Sequence, residues 1–255
     1  MQRWKAHYRD ALHNTPIEII NTEEDYSTEP LSFTLDNITF CSSSLSGFHL
    51  KDEEQWEEAS KKFSLLKWGG CAVSPYLYDL QGFALEVEIP VTVFRKRDEQ
   101  LIPGVLFLSF QYTKPDMSKP HSIIMCDNVR VYADDVIVQG FSLSIDGKYY
   151  KSTEKTLWFD IALENISKQI KEDYYIKCCF TCQYSDYSPY SSDDYGSMLC
   201  FCRHKDDCLK VNSKADFFRF LEGKDFDGRQ ETYLCQHYSP RSKAGGYRGF
   251  VSGVD

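Results

Sequence analysis

The chain is expected to fold as an α+β protein. A mostly antiparallel β-sheet or sandwich spans residues 1–152, and a smaller zinc-stapled α+β part spans 153–255 and packs on it, either as a second domain or as the continuation of one. Three observations carry that expectation. Apolar and polar residues alternate with period two through the first part, and the runs follow one another through short turns. One stripe of helical period follows, beginning at Phe159. Seven of the ten cysteines then fall between Cys178 and Cys235.

Taken in order, Trp4, Ala6 and Tyr8 alternate with polar residues, and Ile17, Ile19 and Ile20 form a second run. Asn14, Pro16 and Asn21 read as turn residues around it. Leu31 to Cys41 reads as two strands broken at Asp36-Asn37. Asp52 can cap a helix running to about Leu66, with Gln55 in the capping-box position and Trp56, Ala59 and Phe63 on the apolar face. That face suits a helix covering a sheet. Phe83, Leu85, Val87 and Ile89, continued by Val91 and Val93, alternate with Ala84, Glu86 and Glu88. A turn at 96–100 leads into Ile102–Tyr112, giving a long antiparallel hairpin. A second pair is expected from Val129–Val138 and Phe141–Tyr150, with Asp146-Gly147 as a turn signal inside the latter. Phe159, Leu163, Ile166 and Ile170 then mark a helix packed on something flat. Asp173 to Phe180 is a strand leading into the cysteines.

Composition narrows the function. With 42% hydrophobic and 15% aromatic residues in 255, there is ample material for a core. The net charge of −9 argues against a nucleic-acid partner and suits a basic protein partner. The N-terminus has no apolar h-region, and no window approaches the length of a membrane span. A cytoplasmic protein with reduced thiols is expected, and in that compartment clustered cysteines point to metal.

The cysteines define the candidate site. C-x-x-C, here Cys179 and Cys182, is the shortest spacing that presents two thiolates to one zinc ion. In an extended strand these two would face opposite ways, so Phe180-Thr181 must form a tight knuckle. Any two of Cys200, Cys202, Cys208, Cys235 and His237 could complete a tetrahedron. Cys41, Cys71 and Cys126 are isolated and read as small buried apolar residues, as does Cys178 on the opposite strand face. A four-thiolate ion is closed, hence structural.

The segments CCFTCQYSDYSPY, MLCFCR, SKADFFRFLE and QETYLC together resemble an uncharacterised bacterial family, a domain of unknown function. Its pattern runs C-x-x-C, S-D-Y-S-P-Y, C-F-R and Q-E-T-Y-L-C, and the resemblance covers about residues 155–250. It implies Cys179, Cys182, Cys200 and Cys235 as the zinc ligands. Cys202 stands where the pattern has arginine and is the alternate. The family carries no activity to transfer.

Between the cysteines lies a tyrosine- and aspartate-rich insert. Asp186, Tyr187, Tyr190, Asp193, Asp194 and Tyr195 offer stiff aromatic area beside negative charge, which suits a basic partner. The competing expectation packs Tyr184 and Tyr187 beneath the metal, with the aspartates capping turns. No H-E-x-x-H, G-x-S-x-G, P-loop or G-x-G-x-x-G occurs. The expected function is therefore a non-enzymatic protein-binding protein with a structural zinc ion, an immunity or defence-associated protein neutralising a basic partner. The alternative is an enzyme whose unrecognised active site lies in a cleft between the two halves.

Overall fold

Alternation sets the strands of the sheet. The computed structural model describes residues 1–45, 47–71, 74–112, 123–126, 129–132, 136–153, 159–189 and 195–242. Gln2–Arg9 (β1) buries Trp4, Ala6 and Tyr8 and pairs along its length with Asn14–Asn21 (β2). Asn14, Pro16 and Asn21 lie inside β2. The turn is made instead by Asp10, whose carboxylate accepts the Leu12 and His13 amides at 2.8 and 2.7 Å. Pro16 is tolerated because β2 pairs on its other side only at Ile20 and Asn21, so no ladder donor is missed.

Leu31–Leu35 (β3) and Ile38–Ser42 (β4) form a hairpin at Asp36-Asn37, whose φ values of +50° and +64° are the pair a type I′ turn requires. His49–Leu50 (β5) continues the sheet beside β4. Asp52 accepts the Glu54 amide at 3.0 Å and caps a single 3₁₀ turn, which leads into the helix Trp56–Lys62 (α1). The helix stops at Lys62, short of the expected Leu66. Leu65 and Leu66 are taken by the strand Leu65–Cys71 (β6), paired with Ser74–Leu80 (β7). Ladder pairing here overrides helix propensity.

Phe83–Arg95 (β8) and Gln100–Tyr112 (β9) make the expected long hairpin, in register from Phe83 opposite Tyr112 to Arg95 opposite Gln100. The next expected pair divides differently. Ile123–Cys126 (β10) and Val129–Tyr132 (β11) form a separate ribbon. Val136–Ile145 (β12) is one bulged strand alongside β9, and it turns at Asp146-Gly147 into Lys148–Lys151 (β13). The Asp-Gly turn, with φ of +49° and +75°, outranks the break expected before Phe141.

Phe159–Ile170 (α2) buries Phe159, Leu163, Ile166 and Ile170, and Tyr174–Ile176 (β14) pairs with β8. Ser185–Tyr187 (β15), Met198–Cys200 (β16) and Asp227–Arg229 (β17) form a three-stranded sheet, accompanied by the short helices Lys205–Cys208 (α3) and Lys214–Leu221 (α4). The main sheet runs β13-β12-β9-β8-β1-β2-β3-β4-β5-β7-β6, and every pairing in it is antiparallel.

That sheet is curled. Tyr8 of β1 meets Phe83 and Phe33 at 5.8 Å and Phe63 at 6.5 Å, although Phe63 leads into β6 at the far end of the strand order. One apolar core extends from Trp4 to Met198 and takes in Phe159, Cys178, Tyr187 and Tyr195 together with the sheet residues. A second, smaller core holds Leu199, Phe201, Cys208, Val211, Phe217 and Phe220.

Candidate metal centre

The knuckle expected at Phe180-Thr181 forms as a 3₁₀ turn over Cys179–Thr181, immediately after β14. It is held from outside by the chain's later residues. The amides of Cys179 and Phe180 donate to the carbonyls of Tyr233 and Glu231 at 2.7 and 3.0 Å. The Arg241 and Gln183 amides tie its far side, donating to Thr181 and Ser239 at 2.8 and 2.9 Å. Inside, Thr181 Oγ1 donates to the Ile176 carbonyl and Ser185 Oγ to that of Cys179. No glycine or proline is needed, because these partners hold the turn.

The thiols gather around this turn. Cys179 is buried, and its thiol is pushed well up, first by burial and then by the neighbouring Cys200, Cys182, Cys178 and Cys235. Burial likewise raises Cys200, which feels Cys202 and Cys235, and it raises Cys235, which feels Cys182 and Cys202. Backbone amides aim at the same sulfurs. Tyr184 N–H reaches Cys182 Sγ at 3.5 Å, and the amides of Cys202 and His237 pull the Cys200 and Cys235 thiols the opposite way, toward the thiolate. Each donor lies two residues beyond its cysteine. Such donors favour a thiolate, while burial and crowding disfavour one unless a cation neutralises the group.

The spacing of these sulfurs is looser than a bound ion would make it. Among the described residues, the set bringing three metal-type ligand atoms within 4.8 Å of one another is Glu29, Cys41 and His49. Cys235 lies in an irregular segment. Cys208 ends the short helix α3 and faces the smaller core, and Cys178 is buried as expected. The side chains of Cys71 and Cys126 lie outside the described set.

The aromatic insert is mostly interior where it is described. Asp186, Tyr187 and Tyr195 are 1%, 4% and 1% exposed, so none of the three presents area to a partner. Tyr190, Asp193 and Asp194 lie outside the described residues. Tyr187 donates its hydroxyl to Glu231 at 3.1 Å, and the other oxygen of that carboxylate accepts the Gly196 amide at 2.7 Å. Gly196 is required there. Its φ is +104°, and a Cβ would lie 2.4 Å from the Ser43 carbonyl. Tyr195 packs edge-on against Trp4 and Phe159 and shares its hydroxyl with Gln230 and Thr232. Asp186 meets the buried Arg241 guanidinium at 3.4 Å. Alternation and spacing gave no signal for Glu231 or Arg241, which lie 35 to 55 residues from the groups they satisfy.

A groove of about 520 Å³ lies on the opposite, polar face of the main sheet, lined by Lys5, His7, Glu86, Glu88, Ser109 and Lys151 among others. It is built wholly from the first part of the chain and does not lie between the two halves. No helix among the described residues is long and apolar enough to cross a membrane.

Fold and site together define a curled, mostly antiparallel β-sheet protein with a cysteine-rich C-terminal part. The chain belongs to a family of unknown function, DUF6304, which matches residues 2–185. The match takes in the main sheet, α2 and the knuckle, and it stops before Cys200 and Cys235. It therefore supports an uncharacterised family over a span well N-terminal to the expected 155–250. No curated protein and no solved structure matches the chain.

Proposed function

We propose that the chain is a non-enzymatic, cytoplasmic binding protein of the immunity or defence-associated kind, held together by one structural zinc ion on Cys179, Cys182, Cys200 and Cys235. The observation that carries the metal is the gathering of Cys182, Cys200 and Cys235 around the buried Cys179 of the knuckle, with the Tyr184 amide aimed at Cys182 Sγ at 3.5 Å. Four thiolates would fill the tetrahedron and leave no open position, so the ion would staple and not catalyse. It would close the seventeen-residue segment between Cys182 and Cys200, offsetting its closure entropy.

The binding role draws on charge. The net charge of −9 favours a basic partner. The surface that suits one best is the start of α1, where Trp56 is 43% exposed and Glu53, Glu54, Glu57 and Glu58 are exposed around it. Aromatic area ringed by carboxylates complements a cationic surface.

Protein purified without a tag should carry about one zinc per chain at this centre. Cys179→Ser should lose that ion and melt earlier, whereas Cys208→Ser should keep it. Retention of zinc by Cys235→Ser would make Cys202 the fourth ligand. A folded wild type with no metal that chelators leave unchanged would end the zinc proposal. For the partner, Glu53→Gln, Glu54→Gln, Glu57→Gln and Trp56→Ala combined should abolish capture of a basic protein. Equal capture by wild type and variant would overturn the assignment of this surface. A second reading, an enzyme, is favoured by the mixed-charge groove over the sheet.

A further inference from the structure

Cys41 was expected to be an inert buried thiol, yet it is one corner of a triangle of metal-type ligands. Its Sγ lies 3.2 Å from Glu29 Oε2 and 3.4 Å from His49 Nε2, and His49 Nε2 lies 3.0 Å from Glu29 Oε1. The fold builds this arrangement. Cys41 and His49 are directly opposed across β4 and β5, so their side chains leave the sheet on one face. Glu29 reaches them from the loop before β3, which pairs with β4 on its other side.

The contacts do not form a catalytic relay. In a Cys-His-acid triad the nucleophile and the acid take opposite ring nitrogens. Here thiol and carboxylate converge on the same nitrogen, Nε2. Atoms that converge on one point suit a shared cation. With zinc bonds of 2.0–2.3 Å, a tetrahedral ion separates sulfur, nitrogen and oxygen ligands by about 3.3–3.6 Å. The observed separations are 3.4 Å between sulfur and nitrogen and 3.2 and 3.0 Å from these to different oxygens of Glu29, so a small opening and a turn of the carboxylate would seat one ion among them.

We propose that Glu29, Cys41 and His49 form a second metal site, for a borderline divalent ion such as zinc. One sulfur, one imidazole nitrogen and one carboxylate oxygen form the mixed donor set such ions take. Three protein ligands leave the fourth position open. Cys41 is buried and the Glu29 side chain is 42% exposed, so that position faces solvent. An open position is what distinguishes a reactive or ligand-exchanging zinc from a stapling one. This site is independent of the C-terminal cysteines.

The test uses the full chain stripped with chelator and titrated with cobalt(II), followed by thiolate-to-metal charge-transfer absorption and checked by zinc competition. Wild type should take up one ion here in addition to any at the C-terminal thiols. Cys41→Ser and His49→Ala should each lose that one ion, with affinity at the site falling by about 100-fold or more, beyond the effect of losing an outer partner. Glu29→Gln, at a partly exposed side chain, serves as the variant that keeps the fold, verified by its melting curve. An ion lost in Cys41→Ser but kept in Cys179→Ser would sustain this site whatever the fate of the C-terminal centre. An ion lost only in Cys179→Ser would overturn this site and leave the other standing. Identical titrations of wild type, Glu29→Gln and His49→Ala would also overturn it.

Discussion

Tyr8 and Tyr187 are both buried tyrosines, but they are buried in different ways. Tyr8 lies in a nest of rings, Phe33 and Phe83 at 5.8 Å and Phe63 at 6.5 Å, and sends its hydroxyl to Asp10 at the edge of the sheet. Tyr187 sends its hydroxyl inward to Glu231, which is fully buried. The sheet region is closed mainly by apolar shape, with Asn21, Ser42 and Gln81 among its buried polar residues. The C-terminal region buries Asp186, Glu231, Gln230, Arg241 and several thiols, and each must find a partner. Shape can be approximated by a neighbour of similar volume, but a buried charge left alone has no substitute for its partner.

The largest expected effect therefore belongs to the C-terminal region. Asp186→Ala removes the carboxylate that Arg241 meets at 3.4 Å, in a site where both groups are almost fully buried. Removing one partner of such a pair destabilises by about 3–5 kcal/mol. Chemical denaturation of the variant should show that loss. A cost under about 1 kcal/mol, the range of surface pairs, would mean that water reaches Arg241 and that the two regions are alike.

Phe33→Leu sharpens the comparison from the other side. Phe33 touches Tyr8, Phe40 and Phe48 and offers no polar atom. A swap that keeps hydrophobicity and most of the volume should cost less than about 1.5 kcal/mol if the ring nest can repack. A loss as large as that of Asp186→Ala would show that ring geometry, and not burial alone, specifies the curl of the sheet.

The same division explains what the sequence made legible. The hairpin at Asp36-Asn37, the register of β8 with β9 and the buried face of α2 follow from period and turn chemistry, which are local. Pro16 and Leu65 were misassigned because ladder pairing, with His7 and with Leu80, decided their state. The knuckle was legible from Cys179 and Cys182 alone. Its supports were not, because Glu231, Tyr233, Ser239 and Arg241 act through hydrogen bonds from an irregular segment with no periodic signature. The interior placement of Asp186 and Tyr195 was hidden for the same reason, while that of Tyr187 follows the competing expectation of packing within the fold. Tyrosine beside aspartate reads as an interface until the buried partners of both are known. Cys41 and His49 carried a weaker clue, since eight residues across a turn place them opposite each other only once β4 and β5 are paired.

The smallest expected effect tests the rim of the sheet region. His13 bridges two turns, with Nδ1 at 2.9 Å from Asp10 and Nε2 at 3.2 Å from Asp36, and its ring stacks on Phe63 at 4.8 Å. Burial would lower its pKa, but hydrogen bonds to Asp10 and Asp36 prevail and hold it above the usual 6.5. Asp10 is displaced the other way: burial raises it, while the amides of Leu12 and His13 and the imidazole bring it below 3.8. A group whose folded pKa is raised contributes stability fully below its unfolded value and loses it as pH rises through the folded value. The His13 contribution should thus be complete below about pH 6.5 and fade in the range just above it. The Asp10 contribution should be complete above about pH 4 and fade as pH falls below it. With Asp36 half exposed, the bridge is worth about 1 kcal/mol or less, or about 2–4 °C in a chain of this size. Melting curves of wild type and His13→Gln should accordingly differ at pH 5.5 and converge as the pH passes through the raised His13 value. Curves separated by a constant amount across that range would show that His13 acts only by stacking on Phe63, making it one more ring of the apolar nest.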